Sequence, residues 1–455
     1  MPFQRLRSKA AAAPGGARSR DVFRNMRVLA TGSGLAKLVA LLLTPVVARI
    51  YSPEAFGSFA IFLAATTMAT PFTSLRYSAA LPLPRRDDTA VNLLACCLAL
   101  LLACCLLLAL VLALASAPLF EAFGAGALAP FWPLFVLSVA LAGGYEILTS
   151  WSVRARSFRR IAKAEITMSM VGGLCKIALA FAALARLGLV LGHLLGQACS
   201  VALLLRGAVA DMARHRRRIG RRHMLRVLVR YADFPRYRFA SQILLLLSAQ
   251  LPIFLVGAQY GAAVAGQLGL AFTVMAIPVT LLVQTTAQAY YAEIARIGRN
   301  DPAGIAQLSR SIAKKLLLLG IAPTLVLVFG SPVLFRLLFG PQWGQAGVFS
   351  SALAIYLLAQ FVSNPLSNVL NVLHRQRLNL VLDAVRAFVS ALVLLAGAAL
   401  DWPATQTVYA FAIGLALYYC LHLFCVFSCL SAEVRKKKSV PERPAHGNEP
   451  PGGLV

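Results

Sequence analysis

Seven ionisable residues stand where a chain would normally keep carbon. Lys37, Arg76, Glu146, Lys176, Asp383 and Arg386 interrupt long apolar runs, and Arg49 closes the first of them. A charge at membrane depth costs about 3 kcal/mol on insertion scales, so such residues usually face a bundle interior or an aqueous cavity. The basic set, Lys37, Arg49, Arg76, Lys176 and Arg386, has the chemistry to hold an anion by charge-assisted hydrogen bonds. The acidic pair, Glu146 and Asp383, has the chemistry to take up a proton or a cation.

Each residue also has a plainer reading. Lys37 and Lys176 lie about ten residues into their runs, roughly 15 Å deep, which makes a lysine's reach to the interface long. Arg76 sits nearer the end of its run, where snorkelling is easier, and Arg49 neighbours Tyr51 and could be an interface anchor. Asp383 and Arg386, three apart on one helix face, either neutralise each other or couple transport to an ion. Glu146 is the leading candidate for proton linkage, with a structural partner such as Lys176 as the alternative.

Polar residues at helical spacing, Gln284 with Gln288 and Asn364 with Asn368 and Asn371, either line a sugar-accepting groove or bond between helices. His193 is solitary and reads as packed. All nine cysteines fall inside apolar spans without metal-ligand spacing, so they read as packing residues, and no metal or cofactor is expected. Gly32-Ser33-Gly34 lacks the strand and spacing of a phosphate loop.

The elements carrying these residues are membrane helices. The chain of 455 residues is 59% hydrophobic and 13% charged, far from the soluble norm. Runs near 26–49, 58–81, 90–116, 130–151, 166–185, 187–205, 239–258, 265–290, 316–331, 345–371, 380–400 and 407–430 give about twelve spans. A net charge of +28 would suggest nucleic acid in a soluble protein. Here all but seven of the 44 lysines and arginines fall in alternate connections. The exceptions are the four intramembrane bases with Arg49, Arg186 and Arg336. That alternation predicts cytoplasmic termini and no nucleic-acid partner.

The two halves repeat. Tyr51, Gly57 and Pro71 recur as Tyr260, Gly266 and Pro278, and the basic turn Arg154-Ala155-Arg156 recurs as Arg375-Gln376-Arg377. An even number of helices per repeat predicts two six-helix lobes related by an axis along the membrane normal, with the site between them. The expected organisation is a flexible basic tail (1–25), an N-lobe (26–210), a basic cytoplasmic linker (211–238), a C-lobe (239–430) and a disordered cytoplasmic tail (431–455).

The opening of the chain is the most specific stretch. Gly32-Ser-Gly-Leu-Ala-Lys37, Leu41-Leu-Leu-Thr-Pro45, Arg49-Ile-Tyr-Ser-Pro-Glu-Ala-Phe-Gly57, Arg76-Tyr77 and Ala80-Leu81-Pro82 resemble the start of Wzx-type polysaccharide and O-antigen flippases of the MOP transporter superfamily. The short connection Pro84-Arg85-Arg86-Asp87-Asp88 lacks the Gly-rich signature of a major facilitator. The resemblance implies an all-α MOP-like inner-membrane protein that moves a polyprenyl-diphosphate-linked oligosaccharide to the periplasmic leaflet by alternating access. The diphosphate would pair with the intramembrane bases and the tail would stay among membrane lipids. A polysaccharide polymerase or export complex is the implied protein partner.

Two alternatives remain. A polymerase or ligase needs acidic groups or histidine near a large external loop, and the outer loops are short. A MATE-like exporter of cations needs carboxylates in the first helix, where this chain has Lys37.

Overall fold

The computed structural model describes residues 14–438 except 85, 123–125, 183–186, 215–218, 280–282, 299–300 and 374. Among the described residues there are helices and no strands. The helices are α1 (Pro14–Ile50), α2 (Pro53–Ala69), α3 (Asp87–Ala122), α4 (Trp132–Arg154), α5 (Phe158–Phe181), α6 (Gly188–Arg214) and α7 (Arg221–Arg230). They continue with α8 (Phe239–Pro278), α9 (Gln284–Ile297), α10 (Pro302–Leu325), α11 (Ser331–Phe339) and α12 (Gly344–Leu366). The chain closes with α13 (Asn368–Val372), α14 (Gln376–Ala399) and α15 (Ala404–Lys438).

Among the described residues, eleven helical stretches are long and apolar enough to cross a membrane. One of them, Phe234–Pro278, is 45 residues long and is broken inside α8 at Gly261, which adopts φ 84°, ψ 172°. That backbone region is open essentially to glycine alone, so the break is written into the residue type. Its two arms fall on the expected seventh and eighth spans, so eleven stretches stand where about twelve were expected.

Several boundaries differ from expectation for local reasons. The second helix starts at Pro53 rather than near 58, because Ser52 caps it and Pro53 fits the first turn; the Ser52 side chain accepts from the Ala55 amide at 3.3 Å. The same helix ends at Ala69 instead of near 81. Pro71 removes a backbone donor, and the chain passes through a 3₁₀ turn (Thr70–Thr73), positive φ at Leu75 and Arg76, and a second 3₁₀ turn (Tyr77–Ala80). The expected flexible tail 1–25 is helical from Pro14, and α15 runs through Lys438 into the expected tail 431–455. A proline in the first turn and basic residues in the last both suit helix ends.

The segment 211–238 is not a simple linker either. It contains α7, whose Val227 is buried in a cluster with Leu93, Leu94 and Ile147 of the N-lobe. Lipid-facing surface is plain along α3, where Leu102, Leu106, Leu110 and Leu114 are exposed.

The repeat seen in sequence is structural. Tyr51 Oη donates to the Lys176 carbonyl (2.7 Å), tying the α1–α2 turn to α5; Tyr260 Oη donates to the Trp402 carbonyl (2.9 Å) and meets Thr407 Oγ1 (2.8 Å), tying the Gly261 break to the α14–α15 turn. The basic turns pair likewise, Arg154 with Asp87 (2.7 Å) and Arg375 with Glu433 (2.8 Å). We call the end carrying Tyr51 and Tyr260 the turn end and the opposite one the basic end.

Candidate functional site

The two lobes meet through glycine. A Cβ on Gly57 would strike the backbone of Ala262 and Gly266, and one on Gly266 would strike Pro53 and Gly57. The repeat-related glycines therefore face each other and bring α2 and the second arm of α8 into backbone contact, as small residues do in membranes. Around them the turn end is bolted. Trp343 Nε1 donates to the Ala48 carbonyl (2.7 Å), Phe56 meets Trp343 edge-on at 4.9 Å between ring centroids, and Gln267 bridges the Gln342 carbonyl (2.7 Å) and the Ala346 amide (2.8 Å).

Arg49 belongs to this closure. Its Nε donates to the Leu338 carbonyl (2.9 Å) and its Nη2 to that of Leu337 (2.5 Å), satisfying carbonyls at the α11 C-terminus. The structure places it as an interlobe bolt, away from the other intramembrane bases.

Beneath the bolt, toward mid-membrane, lies a cavity of about 440 Å³ between α2 and the C-lobe. Its aromatic walls include Phe59, Tyr356, Phe411 and Tyr419, and its polar lining includes Thr67, Gln250, Thr273, Gln360 and Ser390. Arg386 is the charged residue of that lining, which holds no carboxylate. Its Nε donates to Ser248 Oγ at 2.8 Å, while its Nη2 is buried without a hydrogen-bond partner. A guanidinium with an unspent donor has the chemistry to bind an anionic oxygen once a shift of the side chain exposes that nitrogen.

Among the described residues Asp383 and Arg386 make no direct salt bridge, although the Arg386 charge still acts on the Asp383 carboxylate. Asp383 accepts from Asn379 (3.4 Å), one turn back, and Arg386 turns to the neighbouring helix instead. In the cavity wall Gln360 donates to Tyr419 Oη (3.0 Å), and away from that lining buried Ser363 shares a bond with His422 Nδ1 (2.7 Å).

Lys176 is separated from this cavity by one ring. Its stem crosses α6 at Gly192, where a Cβ would collide with Lys176 Cγ, and its Nζ lies 4.6 Å from the centroid of Phe59, a cavity-lining residue. Cation–π contact holds the ammonium where no carboxylate among the described residues reaches it. His193 meets the other side of that arrangement, 5.7 Å from Phe59 centroid to centroid. It packs on the same ring that Lys176 meets, as expected of a packed histidine.

Lys37 lies elsewhere, exposed in a groove of about 180 Å³ between α1 and the second arm of α8, with Leu41, Thr44, Ile277 and Phe339. Thr273 lines both the groove and the central cavity. The two spaces therefore share a wall.

Arg76 and Glu146 form a pair of their own. Arg76 Nη1 lies 2.9 Å from Glu146 Oε1, each side chain about a quarter exposed, and Ser78 Oγ donates to the same oxygen at 2.6 Å. The partner foreseen for Glu146, Lys176, is therefore replaced by Arg76. The left-handed backbone at Arg76 (φ 63°) arises from the Pro71 break, which turns the side chain toward α4. Strain of that kind persists where contacts over-determine it.

Asn364 and Asn368 do not line the cavity. They serve the broken end of α12, Asn364 accepting from Ser367 through its carbonyl and Asn368 donating to the Pro365 carbonyl. The side chains of Gln284 and Gln288 lie outside the described residues. A third intramembrane carboxylate, Glu165, escaped the sequence reading because its helix begins at Phe158; Ser33 Oγ donates to it. No group of three or more potential metal ligands is found among the described residues.

Known structures share this architecture. The lipid II flippase MurJ in an inward closed conformation superposes with a TM-score of 0.68 at 14% identity, covering 91% of this chain and 93% of MurJ. A multidrug resistance MATE family transporter of the MOP superfamily matches in its inward-facing form (TM-score 0.61, 15% identity, 90% and 96% covered). Its outward-facing form matches as well (0.56, 15%, 90% and 96%). No curated protein matches the chain in sequence. The family described as "Polysaccharide biosynthesis protein" matches residues 46–348, from the end of α1 into α12, and so takes in most of the N-lobe and the first part of the C-lobe, with Arg386 beyond its end. This multi-pass membrane protein, with its paired lobes and the fold of MOP transporters, belongs to the polysaccharide biosynthesis protein family.

Proposed function

We propose that the chain is a flippase for a polyprenyl-diphosphate-linked oligosaccharide, moving it from the cytoplasmic to the periplasmic leaflet by alternating access. The observation that carries this reading is the interlobe cavity whose one charged lining residue is a half-engaged arginine, joined through Thr273 to a groove open to lipid. Arg386 binds diphosphate oxygen, the aromatic walls stack on sugar faces, and the groove between α1 and α8 passes the tail with Lys37 at its edge. Lys176 supports the anion through the Phe59 ring. The Arg76–Glu146 pair and Asp383 serve ion coupling, and the turn end is periplasmic.

A MATE-like exporter of cations is disfavoured by the same lining, which offers a drug cation no carboxylate. The polymerase or ligase reading is carried by no observation at the site.

Purified protein in sealed vesicles loaded with polyprenyl-diphosphate oligosaccharide will make inner-leaflet glycan accessible to an external glycosidase, with intact linkages before and after. Accessibility equal to protein-free vesicles under every imposed proton or sodium gradient, together with lengthened or transferred glycan, would sink this reading and favour the enzyme.

A further inference from the structure

The helix α7 belongs to neither the cavity nor the bolt, and its surface is unlike that of a plain loop. Three contacts hold it to the N-lobe. The Gly220 amide donates to Asn92 Oδ1 (3.2 Å), Cys96 Sγ to the Met224 carbonyl (3.6 Å) and Tyr77 Oη to the Leu228 carbonyl (3.0 Å), with Val227 buried between them. As α7 advances from 220 to 224, its partner on α3 advances from 92 to 96. The two helices therefore run side by side for a turn, about 8 to 14 Å from the start of α3.

The outward face carries two parallel stripes at helical spacing. Leu225 and Val229 are 56% and 77% exposed, and beside them Arg222, Arg226 and Arg230 recur every four residues, all exposed. Among the described residues none of the three arginines has a carboxylate partner. Arg226 Nε reaches the Arg222 carbonyl at 3.4 Å, and Arg230 lies 6.0 Å from the centroid of Tyr231. Apolar side chains exposed next to unneutralised guanidinium groups, on a helix packed against a membrane-spanning one, match an anionic bilayer surface in both hydrophobicity and charge.

We infer that α7 is an interfacial binding site for anionic phospholipid. Leu225 and Val229 enter the acyl boundary while Arg222, Arg226 and Arg230 take head-group phosphates. The positive-inside pattern alone requires charge on this side but neither a folded helix nor the neighbouring apolar stripe. The inference stands apart from the identity of the cargo.

The test uses full-length protein in bilayer discs holding phosphatidylglycerol and phosphatidylcholine in equal amounts, with retained lipid counted by native mass spectrometry. Each arginine near the surface is worth about fivefold in lipid preference, so the wild type will retain phosphatidylglycerol by roughly tenfold or more. The variant Arg222→Gln/Arg226→Gln/Arg230→Gln will fall to near parity at an unchanged elution volume. A control with Arg435→Gln, Lys436→Gln and Lys437→Gln removes equal charge at the end of α15 and will keep the preference. A bimane on Val229→Cys will be quenched by brominated acyl chains. Equal loss in the control overturns the inference in favour of diffuse charge, and an unaltered preference in the triple variant removes α7 from the site. An unquenched bimane overturns it in favour of a soluble partner.

Discussion

The two lobes use one scaffold to handle charge in opposite ways. Each ties its first turn to its last hairpin through a tyrosine, Tyr51 or Tyr260, and each offers a glycine, Gly57 or Gly266, to the other lobe. In the C-lobe, Arg386 faces the cavity with one nitrogen unspent. In the N-lobe, Lys176 is screened by Phe59, Arg76 is matched by Glu146, and Glu165 receives Ser33. The repeat therefore fixes the frame, while the chemistry is asymmetric. One lobe turns a charge toward the cavity, and the other spends most of its charges internally.

Four experiments would break or sharpen that contrast. The largest effect belongs to the shared frame: Gly57→Leu or Gly266→Leu places a side chain against backbone that cannot move aside, and either variant will abolish vesicle flipping. Activity retained in one but not the other would show that the interface is not symmetric. Next, Arg386→Gln will weaken binding of a soluble diphosphate glycan by roughly 10- to 100-fold, the worth of a charge-assisted bond. Lys176→Gln, behind its ring, will cost only a few-fold, and equal losses would end the distinction between lobes.

The third experiment concerns the matched pair. Arg76→Gln or Glu146→Gln will lower the stability of the detergent-solubilised protein by about 1 to 3 kcal/mol, between the values for exposed and fully buried pairs. The double variant will lose less than the two singles together, measurable as a coupling energy in thermal unfolding. The smallest effects are those of Tyr51→Phe and Tyr260→Phe, each about 1 kcal/mol per lost hydrogen bond. Tyr260→Phe will be the costlier, because its hydroxyl serves both Trp402 and Thr407.

Much of the frame was legible because it depends on local rules. Apolar run length marks spans, Ser52-Pro53 marks a helix start, and the recurrence of tyrosine and glycine marks a repeat. Partners were not legible, because a charge's neighbour comes from another helix at a rotation no single segment encodes. Thus Glu146 found Arg76 rather than Lys176, and Arg386 bonds Ser248 while acting on Asp383 only through its charge. Glu165 was missed for a simpler reason, since a helix boundary drawn a few residues late moved it out of the span. Phe59 and Gly192 carried no signal of their own; only the path of the Lys176 side chain gives them a role.

The meeting of Gly57 and Gly266 near one face of the bundle also sets a gear ratio. Two bodies that touch at a point on one side of a slab about 30 Å thick act as levers with their fulcrum at that side. Each degree of tilt about such a point displaces the far edge by about 0.5 Å and the mid-plane by half as much. A bulky side chain at the fulcrum would act as a wedge, spreading the near edge before any tilt begins. With no side chain at this contact, a tilt of one lobe about it would move the opposite mouth without first prying the near edge apart.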